Sequence, residues 1–270
     1  MAAPAYKESR TPSGAEWERV GARKSPSWYL DPLVAAQKRR VHQELVWCWT
    51  QGITIRRALK TDSFEEANGD DCILFDLFPH ARALGVDLAF STARRAQSRT
   101  PNERVRFLAS DVRDLAIRPG SLDVIVSTST LDHFDTRADF ERAIGQLAGA
   151  LRPGGVLVIT LDNPWNPVYG LLRWASRHGW LPFRLGYTTA LPGLVRSLRN
   201  AGLAVTATDA LIHNPRVVST LLFRSLRLLL RRHADIAIRP LLALFAALGR
   251  LPTRRFTACF VAVRAHKPEA

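Results

Sequence analysis

Between residues 53 and 163 the chain repeats one pattern: a short apolar run that closes on a polar or acidic residue, followed by a stretch with helical spacing. The runs are ITIRRALKT (53–61), ARALGVDL (81–88), VRFLASD (105–111), LDVIVSTST (122–130) and GGVLVITLDN (154–163). Apolar strands alternating with helices such as 138–151 predict an α/β fold, a mostly parallel sheet with helices on both faces. Two later runs extend it. LAVTATDA (203–210) follows a helix over 190–201, and RFTACFVAVRA (255–265) lies near the end.

The pattern also divides the chain. Residues 28–51 read as an N-terminal cap helix, with Asp31 as N-cap and Pro32 at the first helical position. Residues 1–27, rich in Pro, Ser and charge, predict a disordered tail. The α/β core takes 52–210 plus 255–266, and 211–254 form a basic helical insertion before the last strand.

Charge narrows the function less than its size suggests. The net charge of +14 is carried by 33 arginines and five lysines. An excess of this size fits nucleic acid, an anionic surface or an acidic ligand. Arginine with abundant alanine also follows from a GC-rich genome, so charge alone does not argue for nucleic acid, and none is expected as a partner. Cys48, Cys72 and Cys259 are too far apart for metal-ligand or redox spacing. No metal is therefore expected, and the cysteines read as reduced, as in a cytoplasmic protein. No run reaches the roughly 18 apolar residues of a membrane span.

In an open parallel sheet, ligands bind beyond the carboxyl ends of the strands, where strand order reverses. Those ends carry Lys60-Thr61-Asp62, Asp87-Leu88, Asp111-Val112, Ser127-Thr128-Ser129 and Asp162-Asn163-Pro164. An acid closing the second strand is placed to accept both hydroxyls of a ribose. One closing the third is placed to accept the exocyclic amine of an adenine. The first loop, LKTDSFEEANG (59–69), has no glycine before Gly69. That lack of G-x-G-x-x-G argues against a nicotinamide dehydrogenase.

GVDLA, ASDVRDL, SLDVIVSTSTLDHF and above all LRPGGVLVITLDNP resemble the successive motifs of class I S-adenosylmethionine-dependent methyltransferases. The segments 203–210 and 255–265 are similar to that family's closing hairpin, with an antiparallel last strand. The resemblance implies a Rossmann-like fold, S-adenosylmethionine as cofactor, Asp87 with Leu88 at the ribose, Asp111 with Val112 at the adenine, and Ser127 on the methionine side. The first loop departs from the family's glycine-rich form, and LKTD together with WYLDPLVAAQKRR (28–40) resembles a bacterial branch with a variant first motif. There Asp62, Glu65 or Glu66 would meet the cofactor's amino group, and Lys60 or Thr61 its carboxylate. The alternative is a non-catalytic binding or scaffold module that has lost the cofactor through this loop.

His133, just past the fourth strand, is the candidate general base. Asn163, Trp165 and Tyr169 after the fifth strand, with Asn166, Trp174, Trp180, Trp28, Trp47 and Trp49, suggest a wall for a bulky or apolar small-molecule acceptor. In the insertion, Arg224, Arg227 and Arg231 share one helical face. The preferred reading packs the surrounding leucines on the sheet. The other reading lays residues 215–253 on the inner face of a membrane.

Overall fold

A computed structural model describes residues 17–19, 31–69, 76–178 and 185–269. Helix α1 (Pro32–Trp49) starts where expected, because Asp31 Oδ1 accepts the Leu33 N–H at 2.9 Å and Pro32 occupies a position whose N–H would be orphaned. It buries Val34, His42, Leu45 and Val46. The core then runs β1 (Arg57–Lys60), α2 (Phe64–Asn68), β2 (Arg82–Asp87), α3 (Phe90–Arg99), β3 (Val105–Ala109), β4 (Leu122–Thr128), α4 (Arg137–Ala150) and β5 (Leu151–Asp162). After these come α5 (Pro167–Arg177), α6 (Leu191–Asn200), β6 (Ala204–Leu211), α7 (Arg216–Leu230), α8 (Ala234–Ala247) and β7 (Phe260–His266).

The seven strands lie in the order β3-β2-β1-β4-β5-β7-β6. All pairings are parallel except those of β7, which runs antiparallel to both β5 and β6. The expected Rossmann-like sheet with its antiparallel last strand is thus present. Alternate residues feed opposite faces. Leu59, Ile125, Leu157, Ile159 and Val263 join Phe140, Ile144, Leu147, Leu194 and Leu198 of α4 and α6. Ala58, Val124, Val126, Val158 and Ala262 meet Leu45 and Val46 of α1. Strand order reverses between β1 and β4, so the ligand-binding edge of such a sheet falls at their carboxyl ends.

At the opposite edge, Asp123 Oδ2 accepts the backbone N–H groups of Arg56 and Arg57, both at 2.8 Å, and Oδ1 accepts Arg152 Nε at 2.5 Å. The Leu151-Arg152-Pro153-Gly154-Gly155 segment is the first part of β5, which starts three residues before the expected run 154–163. The register jumps from Leu122 opposite Leu151 to Val124 opposite Val156. Gly154 takes φ +73°, and a Cβ on Gly155 would stand 2.9 Å from the carbonyls of Leu122 and Arg152. Both glycines are therefore required by the bulge.

Boundaries and packing both differ in places from the sequence expectation. The last strand begins at Phe260, and Arg254–Thr257 form a helical turn. Residues 17–19, inside the predicted disordered tail, also form a helical turn. The leucines of α7 do not pack on the sheet. Its inner residues, Phe223 and Leu226, meet Val34 of α1 and Ile238 and Leu242 of α8, while Leu228 and Leu229 are 79% and 78% exposed. The three arginines also divide, because Arg227 turns inward to Asp31 at 2.6 Å and Asp235 at 2.5 Å.

Candidate functional site

The site is built from the residues that follow β1, β2 and β4. Lys60, the last residue of β1, is wholly buried, and its Nζ lies 2.8 Å from Glu66 Oε2 on α2. The same ammonium donates to the Asp62 carbonyl and stands 3.9 Å from Asp62 Oδ2. Burial by itself would push Lys60 down, but Glu66, Asp62 and Glu65 outweigh it and hold the ammonium above its ordinary value. Burial pushes Glu66 above the usual carboxylate range, with Lys60 opposing. Sealed against each other, Lys60 and Glu66 do not reach outward as the variant-motif reading expected. They clamp the loop from within, the conformation that glycines would otherwise have to supply.

Asp62 does face outward. Its Oδ1 accepts the Phe64 N–H at 2.9 Å, starting α2, and its side chain is 28% exposed. Across from it, Asp87 at the end of β2 accepts Ser63 N–H at 3.2 Å and Ala89 N–H at 2.8 Å. Burial, and then the Asp62 carboxylate, push Asp87 up to about 7 against those two donors. Leu88 follows half-buried. Gly85 sits beneath, where a Cβ would be 2.4 Å from the Phe107 ring and 2.9 Å from Ser63 Oγ.

Thr61 donates or accepts through one hydroxyl at two places, 2.9 Å from Ser127 Oγ and 2.8 Å from Thr130 Oγ1, joining the ends of β1 and β4. Ser129 takes φ +51°, uncommon without a glycine. Among the described residues, Ser63 Oγ, Ser129 Oγ and Glu66 Oε1 are buried with no hydrogen-bond partner. Orphaned polar atoms cost stability, and Ser63 and Ser129 place two of them just past the ends of β1 and β4.

Two expected residues are committed elsewhere. Both oxygens of Asp111 accept from Arg113, the shorter bond at 2.6 Å, and Arg113 also reaches Asp139 at 3.0 Å and lies 5.2 Å over the Phe134 ring. Burial would raise Asp111, but Arg113 prevails and holds it below the usual range. Val112 is buried in the core beside it. Asn163, expected at the acceptor, is also buried, and its side-chain amide donates to the carbonyls of Arg255 at 2.7 Å and Ala258 at 3.0 Å. Asn166 does the same to Thr257 and Ala258. These two asparagines fasten the end of the insertion to β5.

His133 stands half-buried at the rim, 5.1 Å edge-to-face from Trp17. Its neighbour Asp132 accepts the Asp162 N–H at 2.8 Å, so Asp132 anchors β5. Trp165 is 38% exposed and stacks on Phe256, with Tyr169 buried nearby in sequence. Trp174 and Trp47 are exposed, Trp49 packs on the sheet, and Trp28 and Trp180 lie outside the described residues.

Gly186 closes the back of the 131–134 segment, its N–H bonded to the Asp132 carbonyl at 3.1 Å. A Cβ there would stand 2.4 Å from the Phe134 carbonyl. Gly186→Ala is expected to lose about 1–3 kcal/mol in urea unfolding, the usual range for overpacking.

Several participants carry no motif. Lys38 of α1 pairs with Glu65 at 3.3 Å and holds that carboxyl below the usual range. Beside it His42, pushed down to about 4 by burial and then by Lys38, stays neutral with Nδ1 2.8 Å from the Lys38 carbonyl. Glu18 accepts the Ser91 N–H at 3.0 Å, bringing the 17–19 turn onto the start of α3. Helical spacing places Lys38 and His42 on one face. No local signal marks Trp17, Glu18 or Ser129.

Comparison with known proteins agrees with this fold. A family profile described as a methyltransferase domain matches residues 68–159, beginning at the last residues of the unusual loop. A demethylmenaquinone methyltransferase of Thermus thermophilus is 33% identical over 138 residues, covering 49% of this chain and 60% of the relative. The chain spans about half the length of the curated relatives it matches. Two solved structures cover nearly all of it. A putative methyltransferase of Haloferax volcanii, solved with a methyltransferase activator, has TM-score 0.61 at 13% identity, covering 97% of this chain and 99% of that one. The N-methyltransferase NodS of Bradyrhizobium japonicum, bound to S-adenosyl-L-homocysteine, has TM-score 0.58 at 16% identity, covering 94% and 98%. The chain therefore carries a methyltransferase domain, set in the class I methyltransferase fold.

Proposed function

We propose that the chain binds S-adenosylmethionine across the carboxyl ends of β1, β2 and β4 and transfers its methyl group to a small, bulky or apolar acceptor. The observation that carries this reading is the pair of neighbouring carboxylates, Asp62 just past β1 and Asp87 at the end of β2, which accepts the Ser63 N–H beside the point where strand order reverses. The residues present fit the group. Asp87 keeps lone pairs for the two ribose hydroxyls, and Asp62 offers negative charge to the α-ammonium. The unpartnered hydroxyls of Ser63 and Ser129 supply further polar atoms at the same edge. Lys60, Thr61, Glu66 and Ser127 shape the loop and the strand ends, and Val112 with the Asp111 backbone flanks the adenine.

The bound cofactor supplies an electrophilic methyl on a sulfonium, so the protein's task is chiefly to hold the acceptor atom in line at about 3–3.5 Å. Trp165, Phe256 and Tyr169 form the acceptor side of this reading. The Thermus relative is named for demethylmenaquinone as its acceptor, in keeping with an apolar class of acceptor here. His133 takes the acceptor's proton where one must be lost. His133→Gln is then expected to lower kcat about 100-fold, the lower range for a general base, with cofactor affinity unchanged. An unchanged kcat would remove His133 from catalysis. The reading as a whole is tested by calorimetric titration with S-adenosylmethionine and with an Asp87→Ala variant.

A further inference from the structure

Helix α7 has two apolar faces, and the described residues cover only one. Phe223 is fully buried and Leu226 partly so, against α1 and α8. Val218, Leu221, Leu222, Leu228 and Leu229 recur at helical spacing on the other side and are 57%, 60%, 39%, 79% and 78% exposed. On α8, Ile236 is 73% and Leu244 61% exposed, with Arg239 exposed on the same helix. Isolated apolar residues on a surface need no explanation, but an outward stripe on a helix pair does.

Charge decides what covers it. Arg224 and Arg231 are exposed beside the stripe, and Arg232, Arg250 and Arg255 are exposed further along the chain, while Arg254 pairs with Asp209 at 3.0 Å. Asp235 is its one acid between 216 and 256, and it is already 2.5 Å from Arg227 and 4.0 Å from Arg239. Leucines flanked by uncompensated arginines form the arrangement in which apolar side chains enter the headgroup boundary while guanidinium groups meet anionic lipid. The strands set the direction. Leu211 and Asp162 both pair with Phe260, so the insertion leaves and rejoins the sheet at the edge that carries the strand-end site.

From this we infer that the outer face of α7 and α8 docks the protein on an anionic lipid bilayer. The docking brings the strand-end edge toward the membrane surface and is independent of whether methyl transfer occurs.

The test is co-sedimentation of the full chain with phosphatidylcholine vesicles, with and without phosphatidylglycerol, without cofactor. Binding is expected to the anionic vesicles, about tenfold or more above the neutral ones, and to weaken at high salt. Leu228→Ser/Leu229→Ser is expected to weaken it about tenfold, as is Arg224→Glu/Arg231→Glu. All four side chains are exposed, so an unchanged thermal melt verifies that the variants fold. Absence of sedimentation by the folded wild type at low salt would overturn the inference, as would binding indifferent to the leucine pair. A lipid-free dimer in light scattering that the leucine pair abolishes would also overturn it, assigning the stripe to a second copy.

Discussion

Lys60→Met is expected to destabilise the protein by about 3–5 kcal/mol, the range for removing one partner of a buried ion pair. The side chain is wholly buried and the loop is folded around its ammonium, so Glu66 would be left as a buried, uncompensated carboxylate. Urea unfolding reads the loss. Converting Glu66 as well, in Lys60→Met/Glu66→Leu, is expected to recover much of it, because matched apolar replacement of a buried pair is often neutral. The double variant would still lose cofactor binding, since the loop carbonyl of Asp62 also depends on Lys60. A Lys60→Met protein as stable as wild type would show that the pair is not what holds the loop.

The second large effect is on cofactor affinity at Asp87. Two hydroxyls donating to a carboxylate are worth about 1.5–3 kcal/mol each, so Asp87→Asn is expected to weaken binding 100-fold or more. The pH dependence has a definite sign. The folded carboxyl keeps its proton up to pH about 7, against a reference of 3.8. Its contribution to folding stability is therefore full below about 3.8 and is lost as pH rises through 7. Binding has the opposite sign, because ribose hydroxyls need the ionised acceptor. Affinity should fall about tenfold per pH unit below 7 and level off above it, and the Asn variant should show no such step. A wild-type profile flat from pH 5.5 to 8 would contradict this.

The sheet was legible because burial on both faces forces continuous apolar runs, and Asp87 closes the second of them. The loop was legible only in part. Asp62 faces outward, whereas Lys60 and Glu66 find each other inside, which strand-end spacing does not reveal. Asn163 read as a polar strand end, but its fate is set by Arg255 and Ala258, more than ninety residues away in the chain. The helical wheel of α7 shows two apolar faces equally well. Only the position of α1 and α8 decides which is covered. The turn at 17–19 lies in a composition typical of disorder, and its place beside His133 comes from tertiary contact with a ring and a helix start.

The central claim, that a glycine-poor loop braced by Lys60 and Glu66 still forms a cofactor site with Asp87 and Asp62, is tested most directly by calorimetric titration of the purified chain with S-adenosylmethionine at pH 8. The account predicts saturable one-to-one binding by the wild type and loss of at least 100-fold in affinity for an Asp87→Asn protein whose cooperative thermal melt verifies that it is folded. A folded wild type that takes up no S-adenosylmethionine, or an Asp87→Asn protein that binds as the wild type does, would contradict it.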